Sequence, residues 1–230
     1  MNELFQESVY FGFFITLFGY WIGSEVSRRV KYTLFNPLLI SIILIIVFLK
    51  ATGISYETYE NGARYINYFM TPATVCLAVP LYRHIQLLKE NLWAILAGIF
   101  SGCVVCAVLI FFLSGLFELD GVIYLSLVSK SVTSAIALGI TEELGGVETV
   151  TVMAVCISGT GGSILSTWLF RLFRIEDPVA QGVALGTASH AMGTSRALQM
   201  GEIQGAMGSL AIAVAGMMTV VIAPILTGLF

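Results

Sequence analysis

Apolar residues fill this chain in long runs, separated by short polar or glycine-containing stretches. A run of about 20 such residues matches the thickness of a bilayer's hydrocarbon core when wound as a helix. The pattern predicts membrane segments at residues 5–23, 33–49, 65–82, 92–117, 122–140, 147–173, 179–198 and 207–229. The fold class expected is all-α. The chain reads as a polytopic integral membrane protein of about seven to eight segments, forming one transmembrane domain over residues 1–230.

The runs are not uniform. The fifth reads LSLVSKSVTSAIALGI and places Lys130 among apolar residues, with Ser129, Ser131, Thr133 and Ser134 around it. The seventh, GVALGTASHAMGTSRALQMGE, is more polar still. A segment of that polarity cannot face lipid and must line protein or a water-filled cavity. The third carries Thr71, Pro72 and Thr74 in TPATVCLA, and the fifth answers it with KSVTSAIA: a polar interruption and then a small-residue helix. Paired interruptions in corresponding halves point to an inverted repeat with a site near the midplane. Segments three and five are therefore expected to be interrupted, with segment five broken or re-entrant, and a further break is expected in segment seven. The glycines Gly159, Gly161, Gly162, Gly186 and Gly193, with Thr71, Pro72 and Thr74, are the expected sites of broken helix.

Charge adds orientation. Only 11% of residues are charged, so the few Lys and Arg positions carry the topology. Arg28, Arg29 and Lys31 follow the first segment, and Arg83 and Lys89 follow the third, whereas the first residues hold no Lys or Arg. The positive-inside rule then puts the N-terminus on the periplasmic side of a bacterial inner membrane. Arg171 and Arg174 join the cytoplasmic side only if segment five enters and leaves on one face. The opening MNELFQESVYFGFFITLF has acidic residues where a cleavable signal would be basic, so none is expected. No basic stripe suits nucleic acid. Cys103 and Cys106 form a C-x-x-C inside an apolar helix without a second pair, and Cys76 and Cys156 also lie in apolar runs. They read as buried small hydrophobes, with no disulfide, metal or cofactor expected.

The candidate chemistry lies in the polar interruptions. Lys130 is either half of an ion pair with an acid such as Glu202 or Glu142, or a cation that meets an anionic substrate. Arg196 is the candidate for a carboxylate, because its planar fork makes two parallel hydrogen bonds; the plainer role is capping or pairing with Glu202. His190 is either a satisfied core histidine or a proton carrier. Ser131, Thr133, Thr187, Ser189 and Thr194 would complete a substrate site with Lys130, His190 and Arg196, and Glu202 stands beside His190 as a proton-coupling candidate. No nucleophile set is legible, so an enzyme is not expected. SGTGG over 158–162 lacks the ending and the preceding strand of a phosphate loop.

The stretches TPATVCLAVPLY, KSVTSAIALGI, GTGG and above all ALGTASHAMGTSRALQMGE resemble the LrgB/CidB family over essentially the whole length. The family usually has proline where this chain has Ser129. The resemblance implies two functions. LrgB and CidB are named as antiholin- or holin-like effectors of murein hydrolase activity and autolysis. A plant plastid relative moves glycolate and glycerate, and bacterial relatives are tied to pyruvate uptake. It thus implies a small monocarboxylate (glycolate, glycerate, lactate or pyruvate) as cargo and a small LrgA-like membrane protein as partner. Proton coupling through His190 or Glu202 is the expected device. The sequence favours a secondary transporter, because a lesion-forming protein needs no fixed intramembrane Lys, His and Arg. Small-xxx-small pairs such as Gly98/Gly102 and Gly182/Gly186 serve internal packing or self-association equally well.

Overall fold

The structure, a computed structural model, describes residues 10–30, 37–69, 72, 75, 76 and 78–228. Its contacts fall into two compact units, Met1–Cys76 and Leu77–Phe230. In the first, α1 (Phe11–Val30) packs on α2 (Pro37–Thr52) and on the short α3 (Tyr56–Ala63), which runs into a 3₁₀ turn at Arg64–Phe69. Ser55 caps α3 by accepting the Thr58 amide at 3.3 Å. Thr16 and Tyr59 join α1 to α3 through their hydroxyls at 2.9 Å. Phe14, Phe18 and Trp21 stand exposed on α1, as lipid-facing side chains do. Thr71 and Thr74 of the third expected segment lie outside the described residues, and Pro72 is helical and exposed.

The second unit opens with α4 (Ala78–Arg83) and α5 (Ile85–Glu90), then α6 (Leu92–Leu116). Ile95, Ile99, Cys103, Ala107, Ile110 and Ser114 make a buried stripe on α6 at spacings of three and four. Its other faces are just as apolar and stay exposed, including Trp93, Phe100, Phe112 and Leu116. A helix that is apolar all round yet buries one stripe belongs in lipid. With α9 (Glu148–Leu172) and α11 (Glu202–Thr227), α6 is one of three helices among the described residues long and apolar enough to cross a membrane. At 25 residues it reaches about 37 Å, enough for a core of about 30 Å.

Between these spans the chain turns back twice. In the first reversal α7 (Gly121–Leu127) gives way to irregular backbone over 128–133, and α8 (Ser134–Leu144) returns. Nested contacts establish the reversal. Ser129 reaches Ala137 and Thr141 at 3.4 and 3.3 Å, and the Val147 amide donates to Ser126 Oγ at 2.7 Å. Thr151 completes a buried hydroxyl chain, 2.9 Å from Thr141 and donating to the Ser126 carbonyl at 2.8 Å. Serines and threonines here satisfy backbone that helix no longer satisfies, a requirement at membrane depth. Segment five is thus broken, as its hydroxyl cluster implied.

The second reversal sits inside α10 (Pro178–Met200), at His190, whose φ of 42° and ψ of −128° leave the helical region. Gly208 of α11 meets both the Gly182 carbonyl and the Ala197 side chain. In a straight helix those two residues would lie about 22 Å apart. The two halves of α10 therefore fold against each other, with α11 alongside both. Each reversal is followed by a span, α9 after the first and α11 after the second. Part of the third segment, the expected counterpart of the fifth, lies outside the described residues, whereas both reversals lie within the second unit.

Two glycine expectations change. α9 runs unbroken through Gly159, Gly161 and Gly162. Their job is space: a Cβ on Gly162 would overlap Ser189 Oγ, and one on Gly159 would lie 2.5 Å from the His190 ring. Gly186 does not break α10 but lets it lie against the Gly208 carbonyl, and Gly193 lies three residues past the break, where a Cβ would strike the Leu185 carbonyl. Gly162→Val should therefore push the reversal off α9, with a loss of roughly 2–4 kcal/mol in stability. Gly161→Ala, with open space around it, should be neutral or mildly stabilising. Thermal unfolding of the two purified variants checks the contrast.

Candidate functional site

Lys130 lies in the irregular turn of the first reversal, half-buried, between the buried Ser129 and Ser131. Thr133 follows in extended conformation and precedes α8, making no side-chain cap. The Lys130 ammonium donates to Cys106 Sγ at 3.5 Å. Among the described residues no carboxylate pairs with it. The ion-pair alternatives through Glu202 or Glu142 are therefore not realised. An unpaired ammonium at this depth is costly unless water or an anion meets it.

Space for such an anion adjoins it. A cavity of about 690 Å³ runs between α6 and the first half of α10. Ala94, Gly98, Gly102 and Cys106 line one wall and Val183, Ala184, Thr187 and Ala188 the other, with Asn91 and Asp177 at one end and Lys130 at the other. Thr187 Oγ1 is buried and makes no hydrogen bond. Thr187 and Lys130 line the same cavity. Cys106, Gly98 and Asp177 were not singled out as site residues; the small residues at 94, 98, 102 and 106, one helical turn apart, were the available signal.

His190 is 3% exposed, and its Nε2 donates to the Val155 carbonyl at 3.1 Å. The accepting carbonyl requires the proton on Nε2, which leaves Nδ1 as the second functional nitrogen. Val155 packs with Val128 and Val132, the residues either side of the Lys130 turn. The two reversals thus meet across α9. Ser189 is buried against Gly162, and the Thr194 hydroxyl is buried without a partner.

Of the expected site residues only Lys130 and Thr187 line the cavity; Ser131, Thr133, Ser189, His190, Thr194, Arg196 and Glu202 do not. Arg196 donates to Thr167 and to Gln199, each at 3.1 Å, and does not line the Lys130 cavity. Thr167 belongs instead to a smaller pocket of about 340 Å³ with Arg171 and Arg174. The reversal at His190 explains this, since six helical residues carry Arg196 about 9 Å back along the second half of α10. Glu202 is half-exposed, 3.2 Å from Arg83 and 3.9 Å from His84. It closes the end of the unit where α6 begins, not a buried proton path. Exposed pairs of this kind contribute about 0–1 kcal/mol. Glu202→Gln should leave both stability and anion binding within twofold of the parent in thermal and equilibrium-binding assays. Among the described residues no three His, Cys, Asp or Glu side chains gather as metal ligands.

The model of a family described as LrgB-like family matches residues 16–229. Proteins named antiholin-like protein LrgB from Bacillus cereus strains B4264 and AH187 are 37% identical over 216 residues, covering 94% of each chain. The protein of the same name from Bacillus anthracis strain A0248 matches to the same extent. No solved structure matches the chain.

Proposed function

Because the chain belongs to the LrgB-like family, we propose that it acts as an antiholin-like membrane protein whose working element is an anion site at Lys130. The name borne by its relatives supports the effector reading more directly than it supports carriage of a monocarboxylate. One specific observation favours carriage beside it: a cation without a carboxylate partner among the described residues, at the end of a cavity between α6 and the first half of α10. A protein that only opened lesions would have no use for that arrangement.

In this reading an imported small carboxylate leaves by the end bearing Arg83, Arg171 and Arg174, the cytoplasmic end by the positive-inside rule; before release it is held in the cavity. It meets Lys130 and the Thr187 hydroxyl. Moving one negative charge inward against about 100 mV costs roughly 2.3 kcal/mol, which a companion proton removes. His190, buried at the second reversal, is the group we assign to that proton in preference to the half-exposed Glu202. A small LrgA-like protein is the proposed partner.

Uptake of labelled glycolate, lactate and pyruvate into proteoliposomes, with and without an LrgA-like partner, tests the proposal beside leakage of a large entrapped dye. Saturable acid flux without dye leakage supports carriage. Dye leakage without saturable flux leaves only the effector reading and removes the anion site from the mechanism.

A further inference from the structure

The size and lining of the Lys130 cavity specify more than a small acid. This inference rests on the anion reading of Lys130 and concerns what else the anion must carry. At about 690 Å³ the cavity falls in the range that encloses ligands of drug size. That is the volume of about twenty waters, several times the bulk of an acid with six non-hydrogen atoms. Its polar groups are confined to the two ends. Lys130, Cys106 and Thr187 gather at one, and Asn91 and Asp177 stand at the other. From Cys106 to Asn91 along α6 is about 22 Å, and the wall between is alanine, glycine, isoleucine and valine.

We propose that the groove between α6 and the first half of α10 binds an elongated amphipathic monoanion, its carboxylate at Lys130 and Thr187 and its apolar tail along Gly98 and Val183 towards Asn91. Two observations locate the head: among the described residues the cavity-lining ammonium has no carboxylate partner, and Thr187, which lines the same cavity, has a buried hydroxyl without a hydrogen-bond partner. Gly102 leaves room beside Thr187, since a Cβ there would come within 2.9 Å of its methyl group. The far end selects against a second charge. Asp177 is already engaged at the start of α10, accepting the Ala180 amide at 2.8 Å, and its carboxylate would repel another. A dicarboxylate would have to leave its second group in the apolar midsection or beside that aspartate.

The test is equilibrium binding of straight-chain carboxylates from two to ten carbons to the purified protein in zwitterionic lipid nanodiscs, with empty discs subtracted. Affinity should rise on the order of three- to fourfold per methylene, and primary alcohols of equal length should bind at least tenfold more weakly than the acids. Lys130→Gln should weaken every acid by at least tenfold; Thr187→Val, which keeps the side chain's shape, should do so severalfold and serves if the first variant does not fold. Ala94→Phe, which narrows the tail end, should leave two- and three-carbon acids within twofold while weakening eight- and ten-carbon acids at least tenfold.

A flat dependence on length, alcohols matching acids, or an Ala94→Phe loss that is equal at all lengths would overturn the amphipathic assignment. If the short acids then still need Lys130, the small-anion reading stands alone. If neither Lys130→Gln nor Thr187→Val changes any acid, the anion reading itself falls. Repeating the series with phosphatidylglycerol in the discs separates two sources of the same chemistry: competition assigns the groove to a lipid anion, and unchanged affinity to a free acid.

Discussion

Lys130→Gln should reduce carboxylate uptake thirty- to a hundredfold while leaving thermal stability unchanged or slightly raised. The two halves of that result separate the roles open to an intramembrane lysine. Had Lys130 been half of a buried ion pair, its removal would strand a carboxylate, and breaking such a pair costs about 3–5 kcal/mol. Here its neighbour is Cys106 Sγ at 3.5 Å, a weak acceptor that tolerates the loss. The substitution also removes the expense of holding an ammonium at membrane depth. What it takes from function is a charge-assisted hydrogen bond to the anion, worth about 2–3 kcal/mol, hence the factor expected in uptake. Proteoliposome flux and unfolding of the same preparation make the comparison. A variant that unfolds early and transports normally when folded would make Lys130 structural.

How much of this arrangement was legible in the chain depends on whether the signal was local. Spans α6 and α9 lie within a residue or two of the apolar runs 92–117 and 147–173, because lipid imposes composition residue by residue. The first reversal was legible too, since a lysine among four hydroxyls cannot continue an apolar helix unnoticed. The second was misplaced, to Gly186 and Gly193, because glycine is the usual mark of such a break. The chain turns at a histidine instead, and what permits it lies 31 residues earlier, at Gly159, as empty space beside a neighbouring helix. No local pattern carries that information. The same glycines looked like breaks in α9, yet the helix runs through them. A cost of about 1 kcal/mol for each glycine is small beside backbone hydrogen bonds left open in lipid. Arg196 reads as a carboxylate ligand from its planar fork and Glu202 as a proton carrier in the same polar stretch, and the reversal at His190 carries both away from the Lys130 cavity.

His190 itself supplies the second large effect. At φ 42° and ψ −128° it occupies backbone that a side chain enters only with strain, about 1–3 kcal/mol. Glycine would relieve that strain, so a reversal needing only to turn would be better served by glycine. The imidazole must return something. One return is the hydrogen bond to Val155, worth about 1 kcal/mol, which about offsets the strain and adds no reason to prefer histidine. The other is a titratable nitrogen, Nδ1, at the meeting of the two reversals. His190→Gly should then unfold within about 1–2 kcal/mol of the parent while its proton-driven uptake falls at least tenfold. His190→Gln sharpens the test, because glutamine places an amide Nε2 where the imidazole Nε2 donates to Val155 but cannot exchange a proton. Uptake by that variant should persist under a substrate gradient and lose its response to an imposed pH gradient. If His190→Gln still follows the pH gradient, the proton travels by another route, and the strained backbone at His190 is a matter of packing against Gly159 alone.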